Sequence, residues 1–70
     1  MPHIAVTMYP GRTEEQKRRL AEKLRDTVIN EIGADRKHIS VSVEEIKPEN
    51  WEKNLENFEG LMYMENGELK

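Results

Sequence analysis

From residue 3 the chain reads HIAVTMY, with Ile4, Val6 and Met8 alternating against His3, Ala5, Thr7 and Tyr9. A period of two marks a strand with one buried face, and Pro10-Gly11 ends it. Thr13-Glu14-Glu15-Gln16 then has the spacing of a capping box. The threonine hydroxyl accepts from an orphan amide of the first helical turn, and the glutamine side chain reaches back to the cap. The helix that starts there carries Leu20, Leu24, Val28 and Ile32 at every fourth position, widened by Ala21 and Ile29. Glu14, Lys17, Arg18, Glu22, Lys23, Arg25 and Asp26 cover much of the remainder, so one face is apolar and the other wet. Gly33 is placed as a C-cap and Ala34-Asp35-Arg36-Lys37 as a short connection. A second strand is predicted from about His38, with Ile39, Val41 and Val43 alternating against Ser40, Ser42 and Glu44.

Two strands joined by a helix of about five turns are expected to lie parallel, with a right-handed crossover that packs the helix stripe on one sheet face. Two strands alone make a poor sheet, whose other face and edges need partners. Past Ile46, Pro48 suits the first turn of a short helix, and Trp51, Leu55 and Phe58 share one face of it. Leu61-Met62-Tyr63-Met64 is a short apolar run, and Asn66-Gly67 is a favoured two-residue hairpin turn, with Glu68-Leu69-Lys70 as the return strand.

Seventy residues without cysteine predict one domain, residues 1–70, with a thin core and no disulfide staple. Such a chain is expected to gain burial as a homo-oligomer. Hydrophobic and charged residues each make up 36%, and the net charge is −3, which argues against nucleic acid as a partner. There is neither a membrane-length apolar run nor a signal-peptide pattern, so a cytoplasmic protein with no membrane association is expected.

Among candidate groups, Pro2 comes first. Proline cannot donate to a sheet and is tolerated at the root of a strand. Removal of Met1, usual before a small second residue, would leave Pro2 as a secondary amine. Ordinary α-amino groups titrate at about 7.7–8.0, and an apolar pocket or a nearby cation lowers that value. The neutral amine can then accept a proton. Arg12 stands in the turn between strand and helix, where its planar fork could grip a carboxylate. Trp51 is the sole tryptophan, a core residue by default and a pocket wall as the alternative. His3 and His38 offer no metal-ligand spacing with Glu44 or Glu45 and are taken as structural. Ser40 and Ser42 lack a nucleophile elbow, so hydrolysis has no support.

With these residues in order, the chain resembles the tautomerase superfamily, the 4-oxalocrotonate tautomerase-like proteins. The resemblance lies in Pro2 directly before a strand, Gly11-Arg12-Thr13-Glu14-Glu15-Gln16-Lys17 opening the helix, the strand Ile39-Ser40-Val41-Ser42-Val43, and Trp51 beyond it. It implies an α+β fold of the tautomerase/MIF-like kind: a β-α-β subunit, two parallel strands packed by one long helix, dimerising into a four-stranded sheet. It also implies a keto–enol isomerase that needs no cofactor and no metal, with Pro2 as general base on a 2-hydroxy-dienoate or an enolpyruvate. Arg12 would bind the substrate carboxylate, and Trp51 would dry the site and depress the proline pKa.

One departure matters. Where the best-known branch has a second arginine in the second strand, this chain has Ser40, which can donate a hydrogen bond but cannot neutralise an anion. Members sharing the serine and the Pro-Glu-x-Trp stretch are similar, and they suggest a monoacid such as phenylenolpyruvate, with Ser40 in the substrate-binding set. The Trp51 neighbourhood resembles dimeric members and the terminal hairpin resembles hexameric ones, so a homodimer is the expected minimum and a homohexamer the alternative. The competing functional expectation is a non-catalytic homo-oligomeric interaction module of the same fold.

Overall fold

The computed structural model describes residues 1–70. Strand β1 (His3–Met8) and strand β2 (Ser40–Glu45) pair in parallel, in a register that sets His3 opposite Ser40 and Met8 opposite Glu45. Helix α1 (Glu14–Ile32) connects them. Its capping box is formed as the spacing predicts: Gln16 N–H donates to Thr13 Oγ1 at 3.0 Å and Thr13 N–H donates to Gln16 Oε1 at 2.9 Å. Glu14 and Glu15 in the first turn complement the positive end of the helix. At the other end Gly33, with φ 68°, takes the left-handed conformation and donates its N–H to Ile29 O at 3.0 Å.

The α1 stripe lies against the sheet, with Leu20 sharing a recess with Met8, and Ala21 sharing another with Val43. Ile32 is the exception, since it is 69% exposed. Four residues turn a helix by 400°, so Ile32 stands about 120° round from Leu20, between Ala21 and Arg25, both half-buried. It keeps to the packed side of the helix and is exposed because it is the last residue of α1. The second strand also begins later than its alternation suggests. Asp35 Oδ1 accepts from Lys37 N–H at 3.2 Å and caps a 3-10 turn over Arg36–His38, which leaves Ser40 as the first strand residue.

Beyond β2, a 3-10 turn at Pro48–Asn50 runs into helix α2 (Trp51–Glu56). Trp51, Leu55 and Phe58 do share a face: with Ala5, Val6, Thr7, Leu61 and Met62 they line an apolar cleft of about 450 Å³. The terminal hairpin is present, with β3 (Met64–Glu65) antiparallel to β4 (Glu68–Leu69). Asn66 at φ 51° and Gly67 at φ 79° supply the two positive φ angles of a type I′ turn.

In one chain no apolar side chain is fully buried, and Asn54 is the single buried residue. The Cα radius of gyration is 13.3 Å, against about 11 Å for a compact chain of this length. No helix is long and apolar enough to cross a membrane.

Candidate active site

Pro2 is half-buried at the root of β1, while Met1 in front of it is 97% exposed. The parallel ladder is extended backwards by one bond, in which Ser40 N–H donates to Pro2 O at 3.2 Å. That bond fixes Pro2 beside the first residue of β2. On the next rung His3 stands opposite Ser40. Its Nδ1 lies 2.7 Å from Ser40 Oγ and its Nε2 lies 3.0 Å from Ser42 Oγ. The sequence shows His3 as an isolated histidine; the parallel register, which no local pattern contains, makes it the bridge between two serines.

At the other end of β1, Tyr9 and Trp51 meet edge to face, with ring centroids 5.1 Å apart and planes at 89°. Arg12 lies three residues beyond Tyr9 and lines a recess of about 190 Å³ with Met8, Gln16, Lys17 and Leu20. Lys17 is committed to carboxylates, 3.0 Å from Glu14 and 3.5 Å from Glu45. The Lys17 hydrogen bond, reinforced by its charge, holds the Glu14 carboxyl below its ordinary value, and the same bond holds Lys17 above its own. Arg12 takes part in no ion pair. Its guanidinium is therefore the unspent cation of this recess.

The four residues expected to form one site thus fall into two groups. Pro2 and Ser40 are together at the start of the sheet, and Arg12 and Trp51 are at its far end. A six-residue strand spans about 20 Å, more than an arginine side chain covers. Two further residues stand at these ends: His3, which the sequence presents as structural, and Tyr9, which it does not single out. The alternation of β1 displays both as outward-facing positions, but their partners become visible only with the strand register and the placement of α2.

The family model described as tautomerase enzyme matches residues 2–52, starting at Pro2 and ending just past Trp51. A 2-hydroxymuconate tautomerase of Bacillus subtilis is 41% identical over 51 residues, covering 73% of this chain and 82% of the relative. A probable tautomerase of Bacillus cereus is 48% identical over 46 residues, covering 66% and 75%. Among solved structures, YwhB, a homologue of 4-oxalocrotonate tautomerase, is 43% identical and superposes with a TM-score of 0.64 over 66% of this chain and 75% of its own. The segment from residue 53 onward, with most of α2 and the hairpin, lies outside the family match. The order of β1, α1 and β2 and these sequence identities agree, and the chain belongs to the tautomerase family of isomerases.

Proposed function

We propose that the protein is a cofactor-independent keto–enol tautomerase in which Pro2, freed by removal of Met1, is the general base. The observation that carries this is the setting of Pro2: a half-buried residue at a strand root, behind a Met1 that is 97% exposed and open to trimming. The neutral ring nitrogen takes the proton of the enol hydroxyl. As the O–H electron pair closes the new carbonyl, the carbon–carbon double bond collects a proton at C3 from the same nitrogen. The proton leaves oxygen and arrives on carbon, and the base is regenerated.

Arg12 binds or stabilises the substrate's negative charge, Ser40 donates a single hydrogen bond to it, and Trp51 excludes water and keeps the amine neutral. The relative from Bacillus subtilis is named for 2-hydroxymuconate, a dianion. With Ser40 rather than a second cation on the second strand, a monoacid enol of the phenylenolpyruvate type is the better match for this chain.

A homodimer completes the site. The single chain exposes 6047 Å², whereas a folded monomer of its size exposes about 4,500 Å². The excess exceeds the roughly 800 Å² that each partner contributes to a stable interface. Joining two such sheets antiparallel, edge to edge, into four strands sets the Pro2 end of one beside the Arg12 and Trp51 end of the other. The distance that separates these residues within a chain then becomes the reason they meet between chains.

The test is Pro2→Ala in protein shown by intact mass to have lost Met1, assayed on phenylenolpyruvate. General acid–base catalysis supplies about 10²–10⁴-fold, and a loss of that size is expected. A loss below about tenfold would mean that the amine is not the base.

A further inference from the structure

We propose that His3 is a positioning residue that makes Ser40 a hydrogen-bond donor to the substrate carboxylate, and so takes over part of the work of an absent second cation. The inference rests on the Ser40 role given above and adds what directs that hydroxyl. The imidazole of His3 spans the two serines, Nδ1 at 2.7 Å from Ser40 Oγ and Nε2 at 3.0 Å from Ser42 Oγ. A neutral imidazole has one N–H and one bare nitrogen, so one serine must accept from the ring and the other must donate to it. The serine that donates has spent its proton. The serine that accepts keeps its own O–H free to point elsewhere.

Two arrangements are therefore available, and they differ in which hydroxyl is free. With the proton on Nε2, Ser40 gives its hydrogen to Nδ1 and has none for a ligand. With the proton on Nδ1, Ser42 O–H donates to Nε2, Nδ1–H donates to Ser40, and Ser40 O–H is left to donate onward. An anion beside Ser40 interacts favourably only with the second arrangement and so selects it. The three bonds then run in one direction, Ser42 to His3 to Ser40 to carboxylate, and each polarises the next. The location agrees with this use: Ser40 is held to Pro2 by a backbone bond of 3.2 Å, and His3, Ser40 and Ser42 are all exposed. Both serines and the histidine belong to one sheet face because β1 and β2 are parallel and in the register His3 to Ser40, Ala5 to Ser42.

The experiment is steady-state kinetics on phenylenolpyruvate with His3→Leu, His3→Asn, Ser40→Ala and the double variant His3→Leu with Ser40→Ala, each checked for an unchanged melting temperature. Because a hydrogen bond to a charged group is among the stronger ones, His3→Leu is expected to raise KM about 5- to 20-fold with kcat within about twofold. His3→Asn, whose amide N–H can take the place of Nδ1–H, should recover most of the loss. In the Ser40→Ala background His3→Leu should cost nothing more. An unchanged KM in His3→Leu, a failure of His3→Asn to recover it, or full additivity in the double variant would overturn the assignment. These outcomes are separable from failure of the tautomerase mechanism itself, which Pro2→Ala reports through kcat.

Discussion

Asn54 donates its side-chain amide to the hydroxyl of Thr7 across 3.0 Å, and it is the one buried residue of the chain. The bond links α2 to the C-terminal end of β1, between segments 47 residues apart in sequence, and it is the side-chain hydrogen bond that joins these two elements. Around it, Trp51, Leu55 and Phe58 form the wall of the apolar cleft over Ala5, Val6 and Thr7. The position of the only tryptophan therefore depends on a polar contact.

Replacing Asn54 by Ala removes the donor and leaves the Thr7 hydroxyl facing an apolar cleft. The expected cost is about 1–2 kcal/mol, read as a lower denaturant midpoint, with a change in Trp51 fluorescence in the folded baseline. Thr7→Val should cost a similar amount, and the two changes combined should cost less than their sum.

The Glu14–Lys17 pair gives a pH signature. The folded-state pKa of Glu14 lies below its ordinary 4.5, so its contribution is present above 4.5 and is lost as the pH falls through that range. Lys17 lies above its ordinary 10.5, so its contribution is present below 10.5 and is lost as the pH rises beyond it. Lys17→Met keeps the aliphatic stem and removes the charge. Its melting temperature should fall below that of the unmodified chain at neutral pH, with the gap narrowing in strong acid and in strong alkali. Added salt should narrow it too, since the pair is on the surface.

A site shared between the subunits of the proposed homodimer would allow complementation. Pro2→Ala and Arg12→Ala should each be nearly inactive alone. When they are unfolded together and refolded as a mixture, half the dimers are mixed, and each mixed dimer holds one intact site of two. About a quarter of full activity should then return. If each site were built within one chain, mixing would return nothing.

Most of the fold was legible in the sequence because its signals are local. Thr13 and Gln16, Gly33, and Asn66-Gly67 each act within four residues, and all are found doing what their spacing predicts. The alternation in β1 and β2 and the stripe of α1 are also local, and where they misled, at Ile32 and at His38, the end of the helix and the Asp35 cap explain the difference. Pro2, Arg12, Ser40 and Trp51 could be nominated one by one, but not arranged. Their grouping at two ends of one sheet depends on strand register and on the path from Ile46 to Trp51. The partnership of His3 with two serines 37 and 39 residues away depends on register alone.

The most direct measurement of the central claim is the pH dependence of kcat/KM on phenylenolpyruvate, made in parallel on protein lacking Met1 and on protein that retains it. The trimmed form should gain activity through a single ionisation below the ordinary α-amino range of about 7.7–8.0, and the untrimmed form, whose Pro2 nitrogen is an amide, should be nearly inactive at every pH. Equal activity in the two forms, or a trimmed form whose activity rises only well above pH 8, would contradict the assignment of Pro2 as the base.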